Sequence, residues 1–200
     1  MGRTFIREDY PVLFIPNNGW KVSTMQSAPS KDMKMTLTPD MVEGDLLSRQ
    51  ISELMNHQRF GVLSSCARDN WPYGNLISFA VTNDLSGILF VTPRSTKKFA
   101  NICENEKISM LITNQRNDSS DVDHAVSVTV MGIARELRGS ERESSITTLL
   151  GKHPRLEGFI RSPMNALVRI DAVRYIYVSQ FETVQVLEFG QSIKQRSGME

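Results

Sequence analysis

The alternation of hydrophobic and polar positions divides this chain into one long helix followed by a series of short strands. Residues at helical spacing predict a helix from Thr38 to about His57. Thr38 can N-cap it, because Pro39 and Asp40 suit a first helical turn. The face predicted to be buried against a sheet comprises Leu46, Leu47, Ile51, Leu54, Met55 and Gln58.

From Phe60 onward the pattern changes to short runs rich in Val, Ile, Leu and Phe, separated by turn-forming residues. Period-2 alternation is clearest at Val126, Val128 and Val130, which are predicted to share one face. The predicted strands are Phe60 to Cys66, Tyr73 to Thr82, Ile88 to Thr92, Lys107 to Thr113, Ala125 to Leu137, Ala166 to Val178 and Thr183 to Phe189.

Two more helical segments interrupt these strands. Ser140 and Glu143 form a capping-box pattern, and Gly151 suits the end of the helix that follows it. A short turn of helix is expected from Pro154 to Ile160. Six or seven strands with few helices and no regular βαβ alternation predict a mainly β fold, an antiparallel barrel.

The length of 200 residues favours one domain with an additional arm. Residues 1–38 have scattered aromatics and no sustained period, so we expect an irregular N-terminal arm that packs on the body or on a second subunit; a mobile chain start is the alternative. Residues 39–190 form the predicted domain, and residues 191–200 are expected to be a flexible tail.

Charge and composition limit the classes of partner and the cellular location that the sequence predicts. The 23 basic and 22 acidic residues give a net charge of +1 without long runs, so no nucleic-acid partner is expected. No signal segment or membrane-spanning run is recognised, and a cytoplasmic protein is expected. Cys66 and Cys103 are interpreted as small buried hydrophobes in a reducing compartment.

Candidate chemistry is concentrated between Gly87 and Ile112, in GILFVTPRSTKKFANICENEKISMLI. This stretch predicts a strand, a tight turn, a helix and a second strand, with Phe99, Ile102 and Cys103 on the core face of the helix. Unpaired amides at the start of that helix can bind a phosphate together with nearby cations. The residues that would form this site are Arg94, Ser95, Thr96, Lys97 and Lys98, with Ser95 or Thr96 as N-cap.

A solvated basic first turn would explain the same residues without a ligand. However, lysines near a helix N-terminus oppose the helix dipole, and a bound anion would offset that penalty. The anion site therefore remains the interpretation with a physical reason for Lys97 and Lys98.

The same stretch resembles the FMN-phosphate segment of the pyridoxamine-phosphate oxidase superfamily, whose fold is an antiparallel Greek-key split β-barrel. The resemblance places the two basic phosphate ligands on Lys97 and Lys98, and the pair that contacts the flavin ring on Val91 and Thr92. The helix end departs from the family pattern, since Asn105 is followed by Glu106 and not by proline.

The preceding strand, PYGNLISFAV, resembles the strand that lies along the cofactor in the branch that includes haem-utilisation split barrels. The resemblance implies that the flavin contacts, largely through backbone groups, are Asn75, Leu76, Ile77 and Ser78. Ser127 stands where the superfamily has a flavin-contacting Gln. Late in the chain, Gln180 replaces a glycine of the branch, whereas Phe181 keeps its phenylalanine.

The resemblance implies a homodimer with FMN between the subunits and a flavin-dependent oxidoreductase acting on a small, unidentified substrate. Pyridoxamine-phosphate oxidase itself is not expected, because its late substrate segment is absent from the chain end. Haem is the alternative cofactor, with His57, His124 and His153 as the available ligands. No histidine pair has metal-ligand spacing, so no metal site is expected. A cofactor-free dimeric interaction module is the third possibility.

Overall fold

The structure is a computed structural model that describes residues 21–25, 40–179 and 183–189. The helices are α1 (Asp40–His57), α2 (Lys97–Glu104), α3 (Asp121–His124), α4 (Gly139–Lys152) and α5 (Glu157–Arg161), with a 3₁₀ turn at Pro154–Leu156. The strands are β1 (Lys21–Met25), β2 (Phe60–Cys66), β3 (Pro72–Ser78), β4 (Ala80–Val81), β5 (Gly87–Pro93), β6 (Lys107–Thr113), β7 (Val126–Glu136), β8 (Asn165–Ser179) and β9 (Thr183–Glu188).

The strands form one antiparallel sheet that curls into a split barrel. The main path runs β1-β9-β8-β7-β6-β2-β3, while β5 pairs with β8 and with β4. In the described part of the chain no ladder joins β3 to β5, so one edge of β3 is free of strand partners. The predicted split-barrel fold is confirmed, and the free edge of β3 is its opening.

The long strand β7 bends at a register shift between Met131 and Gly132. A Cβ atom at Gly132 would lie 2.6 Å from Asp171 O, closer than side chains come to backbone. Glycine therefore permits the close approach of β7 and β8 at this bend, which helps the sheet to curl.

Two hydrophobic clusters lie on opposite sides of β5, all of whose residues but the last are buried. Ile88 and Phe90 face the larger cluster, inside the barrel and under α1. Leu89 and Val91 face a smaller cluster beneath α4 and α5. Burial on both faces explains why β5 reads as a continuous apolar run and not as an alternating one.

The structure corrects several expectations. The strand predicted from Tyr73 to Thr82 is interrupted at Phe79, where the chain changes partners from β2 to β5. Ser140 is not an N-cap, since α4 begins at Gly139 and makes no side-chain cap hydrogen bond. Leu46 is exposed, whereas Leu47 is buried as predicted.

The described residues contain nine strands where six or seven were expected, because β1 is added and the strand predicted from Tyr73 to Thr82 is divided into β3 and β4. β1 pairs with β9, so the segment expected to be irregular contains regular structure. The remaining expectations for the arm, including the cap at Thr38, and those for Gln180, Phe181 and the tail lie outside the described residues. No helix in the described ranges is long and apolar enough to cross a membrane.

Candidate functional site

The predicted phosphate site lies where β5 ends and α2 begins. Thr96 occupies the N-cap position, but its side chain does not cap the helix. Its hydroxyl donates to Pro93 O at 2.9 Å and lies 3.0 Å from Thr92 Oγ1. The first amides of α2 are thus left without a side-chain cap, as an incoming anion requires.

The charged residues in the first turn of α2 are both basic. Lys97 is exposed and Lys98 is half-buried, and the first turn of α2 contains no acidic residue. Two ammonium groups at the positive end of a helix dipole repel it, and nothing in this turn balances them. The first turn of α2 therefore favours an anion electrostatically, and the anion site itself stays a prediction.

Arg94 departs from the predicted cluster. Its guanidinium forms an ion pair with Glu136 at the end of β7 and donates to Pro163 O at 2.7 Å. Glu136 is largely buried by this contact, with 15% of its side chain exposed. Arg94 therefore ties the turn to β7 and β8, whereas Ser95 is exposed beside the helix start.

The two residues expected to contact the flavin ring face opposite ways. The side chain of Val91 packs in the smaller cluster, so its backbone alone can face the opening. Thr92 is 1% exposed and points toward α2 through its contact with Thr96. Their role in binding is thus limited to backbone groups and to shaping the turn.

On β3, alternation separates the four predicted contacts. Asn75 and Ile77 point into the barrel, whereas Leu76 and Ser78 lie on the other face. Because β3 has a free edge, backbone N–H and C=O groups of this strand are available to a ligand at the opening. The predicted backbone contacts are compatible with this geometry.

Two buried carbonyl oxygens near this strand have no hydrogen-bond partner among the described residues: Asn75 Oδ1 and Asn101 Oδ1. Asn101, on α2, is 1% exposed, and its Nδ2 lies 3.3 Å from Ser65 Oγ on β2. Unpaired buried acceptors are costly, so they indicate a missing donor such as a water molecule or a ligand N–H group. They fit a polar ligand between α2 and β3.

Ser127 is not brought to this site within one chain. It lies at the start of β7, nine residues before Glu136, to which Arg94 is paired. Nine residues of strand span roughly 30 Å. Ser127 is therefore remote from the phosphate turn.

A cavity of about 570 Å³ lies beside the C-terminal half of α2, away from Lys97 and Lys98. Three acidic and three basic residues are among those that line it, together with apolar residues of α2 and β7. The lining residues include Phe99, Ile102, Cys103, Glu136 and Arg138. This cavity is distinct from the predicted phosphate site.

The sheet exposes an apolar surface, which we call the open face. Its residues are Phe60, Val62, Leu76, Leu111 and Met131. Val62 is directly opposite both Leu76 and Leu111 in the ladders, so these side chains are contiguous. Leu76 is 69% exposed. Contiguous exposed apolar side chains are typical of an interaction surface.

The three histidines occupy different settings. His57 ends α1 with Nδ1 2.8 Å from Glu53 O, and His124 is exposed at the end of α3, not at a strand start. His153 is buried, and its pKa is lowered mainly by that burial. No group of three or more His, Cys, Asp or Glu residues in the described ranges could hold a metal ion.

The cysteines were expected to be buried, but Cys66 is half-buried and Cys103 is exposed. The buried residues of α2 are Asn101 and Ile102. Sequence reasoning also missed Glu136, which is 42 residues from Arg94 and gives no local signal. The open face did have a signal, because β2 carries apolar residues on both of its faces.

Solved structures with the same fold include proteins with different assigned roles. A heme binding protein from Mycobacterium smegmatis matches with a TM-score of 0.58 and 15% identity, over 72% of this chain and 55% of that one. ChuZ from Campylobacter jejuni matches with a TM-score of 0.61 and 15% identity, over 73% of this chain and 63% of that one. The chain thus spans less than two thirds of either protein.

A general stress protein 26 relative of the pyridoxinephosphate oxidase family, from Clostridium acetobutylicum, matches with a TM-score of 0.54 and 15% identity. That match covers 70% of this chain and 94% of the other. No curated protein matches the sequence. The family model described as pyridoxamine 5'-phosphate oxidase matches residues 47–182, more than half of the chain. The chain therefore belongs to the pyridoxamine 5'-phosphate oxidase family.

Proposed function

We propose that this protein binds FMN at the opening of the split barrel and acts as a flavin-dependent oxidoreductase on a small substrate. The observation that carries the proposal is the start of α2, which combines uncapped amides, two lysines and no acidic residue. Two further observations support it: β3 has a free edge, and the buried oxygens Asn75 Oδ1 on β3 and Asn101 Oδ1 on α2 have no partner among the described residues. A phosphate at one end and a planar polar ring along a strand edge would satisfy these groups together.

Each part of the chain has a defined task in this proposal. Lys97 and Lys98 bind the phosphate with the first amides of α2. Arg94 holds the turn in place through Glu136. The backbone of β3 orients the ring, and the Asn75 and Asn101 oxygens accept hydrogen bonds from it or from a bridging water. Bound FMN supplies hydride or electron transfer.

A homodimer is part of the proposal. The open face is contiguous and apolar, and covering it with a second copy would remove it from water. A second copy there would also lie near the opening, because Leu76 of the open face is on β3. The two free cysteines support a reducing, cytoplasmic setting.

Haem is the second candidate, because one protein of the same fold is described as a heme binding protein. His57 and His124 are the exposed ligands that could reach it, since His153 is buried. The absorption spectrum of the purified protein separates the candidates: flavin bands favour FMN, and a Soret band favours haem. Neither band, with no FMN binding on titration, would favour a cofactor-free module.

The phosphate assignment is tested with the variant Lys97→Ala/Lys98→Ala. We expect FMN affinity to fall by at least about tenfold, because charge-assisted hydrogen bonds are lost. The apo protein should become more stable by about 0.3–1 kcal/mol for each lysine, since both oppose the helix dipole. Fluorescence titration measures the first effect and urea unfolding the second.

The matched control is Lys107→Ala, which removes a lysine beyond the other end of α2. It should leave FMN affinity unchanged. Unaltered FMN binding by the double variant would contradict the phosphate assignment. If Lys107→Ala weakened FMN binding as much as the double variant does, the effect would come from overall charge and not from a local phosphate site.

A further inference from the structure

Phe79 forms the one-residue link between β3 and β4. β3 pairs with β2 and β4 pairs with β5, so the chain crosses the split of the barrel at this residue. The Phe79 side chain is completely buried. Its position therefore fixes where the free edge of β3 ends.

The end of α4 contacts both the backbone and the ring of Phe79. His153, which is 6% exposed, has Nε2 2.8 Å from Phe79 O. Because a carbonyl only accepts, Nε2 carries the proton and donates it. Lys152 Nζ lies 4.0 Å from the centre of the Phe79 ring, within the range of a cation–π contact.

Lys152 also connects this point to α1. Its Nζ donates to Met55 O at 2.6 Å, one of the last carbonyls of that helix. Arg59 in turn donates to Lys152 O at 3.2 Å. Three elements, namely α1, the β3–β4 link and α4, are thus joined by two adjacent residues.

Hydrophobic packing alone does not require a lysine at position 152 or a histidine at position 153. Burial, together with the nearby charge of Arg59, lowers the pKa of Lys152 to about 8. Placing a half-buried amine and a buried imidazole here costs free energy unless their hydrogen bonds are needed. Apolar residues of similar size would fill the same space without those bonds, so the bonds themselves point to a positioning role.

We infer that Lys152 and His153 are positioning residues that hold the Phe79 crossing, and with it the free edge of β3, in the form that binds the flavin ring. The role in flavin binding rests on the proposed function. The restraint on the Phe79 crossing is a property of the protein without ligand. They act through Phe79.

Hydrogen exchange of the apo protein tests this restraint without any cofactor. In Lys152→Met and His153→Leu we expect amides of residues 72–81 to exchange about tenfold faster, as for the loss of one buried hydrogen bond. The amides of β6 and β7 should be unchanged. Exchange that rises equally across the sheet, or not at all in residues 72–81, would overturn the inference.

Conservative variants distinguish directional bonds from packing. His153→Gln keeps a donor at the position of Nε2 and should exchange like the wild type, whereas His153→Asn is too short and should behave like His153→Leu. Lys152→Arg keeps the charge and should also restore protection. If His153→Leu does not fold, the Gln and Asn variants provide the same comparison. Thr147→Ala, on the exposed side of α4, is the control.

FMN titration of the same variants tests the role in flavin binding. Lys152→Met and His153→Leu should bind FMN about tenfold more weakly and shift its visible absorption, while Lys152→Arg and His153→Gln should bind normally. If the wild type binds no FMN, the proposed function fails and the exchange result still stands. If the exchange pattern appears but FMN affinity does not change, the role in flavin binding is wrong.

Discussion

Strands β2 and β6 each have one buried face and one exposed face. On β2, Leu63 is completely buried, whereas its neighbour Val62 is 39% exposed. On β6, Met110 is completely buried, whereas Leu111 is 41% exposed. All four side chains are apolar, so composition does not distinguish the faces.

The difference shows that these strands serve two separate surfaces. The inner face buries its side chains within one chain and so determines the fold. The open face is not needed to close the barrel, yet it keeps apolar residues where a solvated sheet would carry polar ones. This composition supports the proposed homodimer, in which a second copy would cover the open face.

The largest effect is expected on the inner face. Leu63→Ala removes a buried side chain and leaves a cavity, so we expect a loss of about 2–5 kcal/mol in the free energy of unfolding. Urea unfolding of the purified variant measures it. Val62→Ala, one residue away on the open face, should lose well under half as much. Equal losses would show that the faces do not differ as described.

Substitutions on the open face should weaken dimer assembly and should not lower the stability of the folded subunit. Leu111→Asp would bury a charge in the proposed interface, and we expect the dimer dissociation constant to rise at least about a hundredfold. Sedimentation at several concentrations measures this. Leu46→Asp, on the exposed side of α1, should remain dimeric. A wild type that is monomeric throughout would contradict the proposal of a dimer.

The smallest effect is expected for the buried polar pair formed by Asn101 on α2 and Ser65 on β2. Replacing Asn101 and Ser65 together, as Asn101→Leu/Ser65→Ala, removes both partners of a bond and an unpaired acceptor. We expect the apo protein to keep its stability or gain about 1 kcal/mol, while FMN affinity falls about tenfold. Thermal unfolding and FMN titration measure the two effects.

The matched control for this pair is Ser65→Ala alone, which leaves Asn101 Nδ2 buried without its partner and should destabilise the protein by about 1–3 kcal/mol. If the double variant were as unstable as this single one, the polar pair would serve the fold and not the ligand.

Most of the fold could be predicted from local pattern. The predicted bounds of β2 and β6 coincide with the observed ones, and β7 differs by one residue at each end. In these strands the apolar period and the flanking turn residues agree with the tertiary structure. The start of α2 at Lys97, directly after the expected cap at Thr96, could be predicted for the same reason.

Other features depend on contacts between distant residues. Nothing in PYGNLISFAV indicates that pairing changes at Phe79, since the change is imposed by β5 on one side and His153 on the other. Arg94 turns from the phosphate site because Glu136 is within its reach. Cys103 is exposed, because the face of α2 that packs on the sheet contains Asn101 and Ile102.

The start of α2, with its two lysines, is the strongest functional signal in the sequence. In the structure its first amides have no side-chain cap, and Arg94 pairs with Glu136 instead of joining the lysines. The sequence by itself determined the order of the strands, the position of this basic turn and its family resemblance, because these follow from periodicity and short motifs. Only the tertiary structure decided which groups meet or stay unpaired: the free edge of β3, the Asn75 and Asn101 oxygens, and the contacts of His153 with Phe79. Those contacts join residues far apart in the chain, and their partners are set by packing, which local pattern does not encode.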